Sequence, residues 1–401
     1  NTSGNNNIMI GYAAGAANVS GDEMILIGTG AGANLNHDTD NDGAVFIGYN
    51  AGTNYVSGGG GGVFIGFKAG QMADAASTNA VYNTYIGYEA GRFLDDGTNN
   101  VALGHTAMRS IDADGHNANH SIAIGFEALY GITDGDYNVA VGSRALKVHT
   151  TGTRNIAIGY EAMHDTDAGT TAQGSSDNIF MGYSAGGGTW ANAACTHNIG
   201  IGNYVMDAAL NGALANTALG YNSLSALTTG DYNTSIGAHS MTALTTGAAN
   251  IGLGVNALNV HTTGDKNIAI GNNAMYNTDA GSTSLGSTEN IFIGYEAGGG
   301  TWADAASNYN VGIGNNVMDA AMNGAGANVA IGHYAMSSLT TGDDNTSVGH
   351  QAGYNITTGE DNIAIGKNAM LVHTTGLRNT VVGTNAMADT NAGSTSLGSV
   401  D

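Results

Sequence analysis

The sequence predicts an all-β protein, a parallel β-solenoid (β-roll) of about 21 short coils. Three observations predict it. A unit Asn-x-x-hydrophobic-Gly-x-x-Ala, as in Asn155-Ile-Ala-Ile-Gly159-Tyr-Glu-Ala162, recurs along the whole chain. Its anchor Gly stands at 11, 28, 48, 66, 87, 104, 125, 142, 159, 182, 202, 220, 237, 254, 271, 294, 314, 332, 349, 366 and 383, most often 17 residues apart and never more than 23. Such a unit is too short for a helix, a strand and two turns, and it cannot bury its own apolar face. It has to stack on its neighbours.

The strand comes first in the unit. The residue before the anchor is Ile, Leu, Val or Met every time, and the residue two earlier is Ile or Val in most units and Thr in five. The residue between them is small or aromatic, as in Ala102, Ala157, Gly252, Phe64 and Phe292. Aliphatic positions flanking a different one give the period-two pattern of a short strand. The corner comes next. Gly159, Gly237, Gly271 and Gly383 are expected where φ is positive or two backbones approach closely. The residue four after the anchor is Gly in eight units and Leu or Met in the other 13, which predicts a second, weaker strand such as Ala257-Leu258-Asn259-Val260. A Thr-Thr-Gly turn often closes the coil, as at 228–230 and 262–264. Asn stands four before the anchor in 17 units. Stacked coils would set Asn155, Asn233, Asn267 and Asn379 in a ladder of side-chain hydrogen bonds along the rod. At ~4.8 Å per coil the rod would be roughly 100 Å long.

A second period lies above the first. The spacings 23, 20, 18, 17, 17, 17 run from Gly159 and again from Gly271, a super-repeat of 112 residues. Thr189-Trp190 matches Thr301-Trp302, and His149, His261 and His373 share the same spacing. No linker interrupts the pattern. The expected organisation is one continuous solenoid over 1–401, with irregular coils over 1–124 and regular coils carrying the super-repeat over 125–401. The chain begins at Asn1 without Met and ends in mid-pattern, which reads as a processed product or a piece of something longer.

Composition narrows the function. Of 401 residues, 65 are Gly, 47 are Asn, none is Pro and one is Cys. That excludes collagen, which needs Gly at every third residue and Pro, and it excludes a disulfide scaffold. The net charge of −23 argues against a nucleic-acid partner and against an anionic membrane surface. No apolar run is long enough to span a bilayer and no signal peptide is visible. No nucleophile elbow or other catalytic constellation stands out, so an enzyme is not expected. Cys195 reads as a buried, inert thiol.

Units such as Asn233-Thr-Ser-Ile-Gly-Ala-His-Ser-Met-Thr-Ala-Leu-Thr-Thr-Gly247 resemble the repeats of bacteriophage tail-fibre proteins. The Asn-x-Ala-Ile-Gly-x-x-Ala core is also similar to the head repeats of trimeric autotransporter adhesins. The resemblance covers essentially the whole chain and implies a trimeric, extracellular, non-enzymatic fibre. A thin coil with a small core makes lateral association physically reasonable, because packing against other copies buries what one chain leaves open. The functional expectation is a fibre shaft on a virion, attaching to a cell-surface glycan or protein receptor. The alternatives are a cellular adhesin head or self-assembling filament, and a secreted calcium- or ice-binding solenoid with its Thr pairs in array.

Candidate sites lie where coils exceed the basic length. The 20-residue coils from Gly182 and Gly294 carry Gly-Gly-Gly-Thr-Trp, and extra residues must leave the rod as loops. An exposed Trp190 or Trp302 beside Asn192 or Asp304 would suit a sugar ring; in the other reading each Trp caps a hydrophobic end of the roll or packs between chains. Asp38-Thr-Asp40-Asn-Asp42-Gly43 matches the first half of a calcium loop, although the twelfth position holds Tyr49 in place of the bidentate Glu; the other reading is a solvated acidic turn between coils. His149, His261 and His373 read either as surface residues beside a turn or as groups meeting their symmetry mates on a trimer axis. Aromatics following the anchor, such as Tyr49, Phe67 and Tyr88, read as a stacked ladder or a glycan stripe.

Overall fold

The structure is a computed structural model that describes residues 4–35, 43–55, 61–72, 81–111, 116–166, 174–190, 193–278, 286–302 and 305–389. Among these residues there are strands and turns and no helix. The chain forms two compact units. The first takes Asn1–Asn203 and Ala208–Gly212, with strands β1 (Ile8–Ile10) through β11 (Ile199–Ile201). The second takes Tyr204–Asp207 and Ala213–Asp401, with β12 (Thr217–Leu219) through β21 (Thr380–Val382).

Within each unit every strand pairs in parallel with the next one along the chain, in register. Ala140 lies beside Ala157 and Ala157 beside Phe180 in the first unit. Ser235 lies beside Gly252 and Gly252 beside Ala269 in the second. Both units are parallel β-solenoids with one three-residue strand per coil.

The anchor glycines stack at the corner after each strand. Gly237 has φ +139°, and a Cβ on it would lie 2.3 Å from the carbonyl oxygen of Gly254. Gly159 and Gly271 meet Gly182 and Gly294 in the same way, at 2.2 Å. Gly383 has φ +134°. Only a residue without a side chain admits the next coil so close.

The expected second strand does not form. The two residues two and four places after the anchor are both left-handed, as in Arg144 (φ +60°) and Leu146 (φ +50°). This alternation replaces an extended segment with consecutive turns, yet the backbone stays paired. The N–H of Arg144 reaches back to the carbonyl of Phe126 (2.8 Å), and that of Leu146 reaches forward to Ala162 (3.0 Å). Each coil is thereby hydrogen-bonded to both neighbours without a ladder.

The Asn side chains form a buried ladder. Asn233 Oδ1 accepts the backbone N–H of Asn250 (3.0 Å) and its Nδ2 (3.2 Å), while Asn233 Nδ2 donates to the carbonyl of Gly247 (2.9 Å). The backbone N–H of Asn267 donates to Asn250 Oδ1, that of Asn379 to Asn362 Oδ1, and that of Asn155 to Asn138 Oδ1. Where Ser121 stands in the column, its Oγ takes the N–H of Asn138 instead (3.0 Å). A buried amide with its donors and acceptor engaged costs little, whereas the same group unpaired would cost a full desolvation penalty.

The inward strand residue is the middle one, and the aliphatic residues on either side face outward. Gly252 is buried while Ile251 and Leu253 are 38% and 42% exposed. The alternation alone leaves open which of the two faces is inside. In most coils one large core side chain comes from either of two places, beside further inward residues such as Leu244 or Tyr55; the coil with Ser347 and Gly353 has neither and is filled by Ile356. Where the middle residue is large, as in Phe46, Phe64, Tyr85, Phe180 or Phe292, the residue four after the anchor is Gly (Gly52, Gly70, Gly91, Gly186, Gly298). Where the middle residue is small, as in Ala157, Ser235 or Ala330, that place holds Met163, Met241 or Met336. A Cβ on Gly52 would lie 2.6 Å from the Phe46 ring. Both choices fill the same volume.

Candidate functional site

The two Trp residues are interior, which overturns their reading as exposed sugar contacts. Trp190 and Trp302 are fully buried side chains. Trp190 packs edge-on against Phe180, with ring centroids 5.8 Å apart and planes at 65°, and Trp302 repeats this on Phe292 at 5.7 Å. The Trp190 indole N–H donates to the carbonyl of Gly186 (3.1 Å), and its backbone N–H to Asp165 (2.8 Å). The Gly-Gly-Gly-Thr stretch is a detour, and the chain re-enters the coil at the indole. Burying an indole on an aromatic ring is strongly favourable, so the residue that looks like a loop tip closes the loop instead. Asn192 and Asp304 lie outside the described residues, as do Asp38, Asp40 and Asp42. Among the described residues no group of three or more His, Cys, Asp and Glu could hold a metal ion.

The three histidines are buried too, so neither the surface reading nor the axis reading holds. Each occupies the inward position that Leu227, Leu244 and Leu339 fill in sister coils. His149 Nδ1 lies 2.7 Å from Thr166 Oγ1, and His261 Nδ1 lies 2.9 Å from Thr278 Oγ1. The next coil offers Thr at this place, and the imidazole supplies the partner that a Leu could not. Asn155 and Asn267 reach the Nε2 atoms at 3.2 and 3.1 Å. Burial lowers the pKa of His373 below the usual value. Cys195 is a buried thiol in a column of Gly, Ala and Ser, its backbone N–H donated to Ser175 Oγ (3.1 Å).

Several of the surface aromatics after the anchors stack on one another. Tyr49, Phe67, Tyr88 and His105 follow at centroid distances of 5.2, 5.0 and 4.8 Å, within 12° of parallel. Their faces cover each other and their edges meet solvent, so the column has no open face for a sugar between its ends. The first Thr is similarly occupied in the pairs that begin at Thr228, Thr245, Thr340 and Thr357. Thr228 and Thr245 donate their hydroxyls to the carbonyls of Thr245 and Thr262 (both 3.0 Å).

Charged side chains in the first unit pair along the coil axis. Arg144 lies 3.5 Å from Glu127 and 3.0 Å from Glu161, and Lys147 reaches Glu127 at 2.8 Å. Arg154 makes a bidentate contact with Asp177 (2.5 and 2.9 Å), which holds that carboxyl below its usual range. In the second unit amides stand in comparable places, such as Asn256 with Asn273 (3.1 Å). These contacts bind coil to coil.

The surface feature that sequence reasoning missed is the sheet face itself. In each unit two aliphatic columns run along the outside of the sheet, as at Ile122 and Ile124 in the first and Ile363 and Ile365 in the second. The signal was present in the alternation, which fixes two faces but does not say which one is inside. The fold defines the class: a parallel β-solenoid repeat protein. In comparison with known proteins the chain matches no family model, no curated protein and no solved structure.

Proposed function

We propose that the chain is the shaft of an extracellular attachment fibre, of the phage tail-fibre kind, built from three copies packed face to face. The observation that carries this reading is the pair of outward aliphatic columns. Soluble monomers rarely leave an apolar patch larger than a few hundred Å² open. Here each coil sets two aliphatic or Thr side chains on the outer face, exposed or half-buried. The ten strands from β12 to β21 repeat this face, and a stable interface takes roughly 800 Å² per partner. The coil-to-coil use of polar side chains agrees with a mechanical role.

Native mass measurement tests the assembly. About three times 40.2 kDa is expected, and a monodisperse monomer would sink the trimer. Labelled fibre applied to candidate host cells tests attachment, with retention on the cell surface as the expected result.

A further inference from the structure

We propose that a notch beside Tyr309 in the second unit binds the ring of one neutral sugar. The inference rests on the attachment reading and names the chemistry of the surface recognised. The notch has a volume of about 280 Å³ and is lined by Asn308, Tyr309, Gly326, Ala327, Asp343 and Asp344 among others. That is the low end for small-molecule sites, with room for a single ring.

The Tyr309 side chain is 59% exposed, and its neighbour in the next coil is the methyl group of Ala327. It therefore differs from the Tyr49–Phe67–Tyr88 column, where each ring face is taken by the next ring. Gly326 keeps the notch open. A Cβ there would meet only Asn308 O and Asp343 Oδ1, both at 3.5 Å. Asp343 Oδ1 accepts the N–H of Gly326 (2.7 Å), which fixes that carboxylate at the rim, and Asp344 stands beside it. An aromatic face takes the C–H face of a pyranose, and carboxylates accept its hydroxyl protons. Two carboxylates in so small a space disfavour an anionic sugar.

The repeat does not impose this arrangement. One super-repeat earlier the sequence has His197 for Tyr309, Leu214 for Gly326 and Tyr232 for Asp344. The notch is where the second block departs from the first.

The test is saturation-transfer NMR on the full chain with methyl β-D-glucopyranoside, methyl β-D-galactopyranoside and N-acetylneuraminic acid. Transfer to at least one methyl hexoside and none to the acid is expected. Tyr309→Ala and Gly326→Leu should each reduce transfer at least fivefold. The second variant guards the first, because Leu already stands at the matching place in the earlier block, so its circular dichroism should be unchanged. Undiminished transfer in Gly326→Leu, or equal transfer to the acid, overturns the proposal. Cell binding by wild-type fibre with no transfer to either hexoside overturns the notch alone. Transfer without any cell binding overturns the attachment reading alone.

Discussion

Phe180 and Gly186 share one volume: a Cβ on Gly186 would stand 2.8 Å from the Phe180 ring. One coil earlier the same space is filled the other way, by Ala157 and Met163. The left-handed φ is common to both, +61° at Gly186 and +50° at Met163, so Met at 186 needs no new backbone. Phe180→Ala alone should cost about 3–5 kcal/mol through the cavity it leaves. Gly186→Met alone should overpack the coil. The double variant should recover a large part of both losses in a thermal melt, short of wild type because Trp190 loses its ring partner. Simple additivity of the two single losses would refute the shared volume.

The anchor column makes a separate prediction. Gly237→Ala meets two penalties, a left-handed φ and a carbonyl 2.3 Å from the new methyl. Gly131→Ala meets mainly the first, since φ is +92° there but the nearest atom, Lys147 O, lies 3.4 Å away. Strain of the first kind costs roughly 1–3 kcal/mol. Denaturant unfolding should therefore rank Gly237→Ala clearly below Gly131→Ala. Equal losses would mean that the coils separate easily at the corner.

His373 gives the structure a pH dependence. Burial lowers its pKa in the folded chain relative to the unfolded one, and Asn379 Nδ2 lies 3.2 Å from its Nε2. Between the two pKa values the unfolded chain holds a proton that the folded chain does not. The contribution is complete above about pH 6.5 and is lost as pH falls below it. Melting temperature should drop between pH 7.5 and 5.5. His373→Leu, which copies Leu339, should flatten that slope. An unchanged slope would assign the pH dependence to other groups.

The strand, the anchor corner and the Asn column were legible because each is a single-residue pattern repeated every coil. The filling of the core was not, since it is a relation between two places six residues apart: Phe46 with Gly52, Ala157 with Met163. Neither column is regular by itself. Trp190 failed for a related reason. Its Gly-rich approach is a sound loop signal, but its partner Phe180 lies ten residues earlier, and only the recurrence of Phe292 before Trp302 hints at the pair. His149 shows the same limit, because its buried role depends on Thr166 in the next coil.

The outward aliphatic columns lead to the last prediction. Ile251 and Leu253 flank the buried Gly252 and point away from the coil interior. A charged pair there touches no core side chain of its own chain. Ile251→Glu with Leu253→Glu should leave the circular dichroism of a β-solenoid intact, with only a small change in strand propensity. If copies pack on this face, the same change buries two carboxylates per chain at the interface. Unpaired buried charges are not tolerated, so the assembly should dissociate or each carboxyl should take up a proton. Sedimentation at pH 8 should then give a single-chain species, with partial return of the larger species as pH falls below 5. A variant that keeps the wild-type mass at pH 8 would show that the chains meet through another surface. A variant that unfolds as a single chain would show that these aliphatic side chains support their own sheet, and the trimer would lose the observation that carries it.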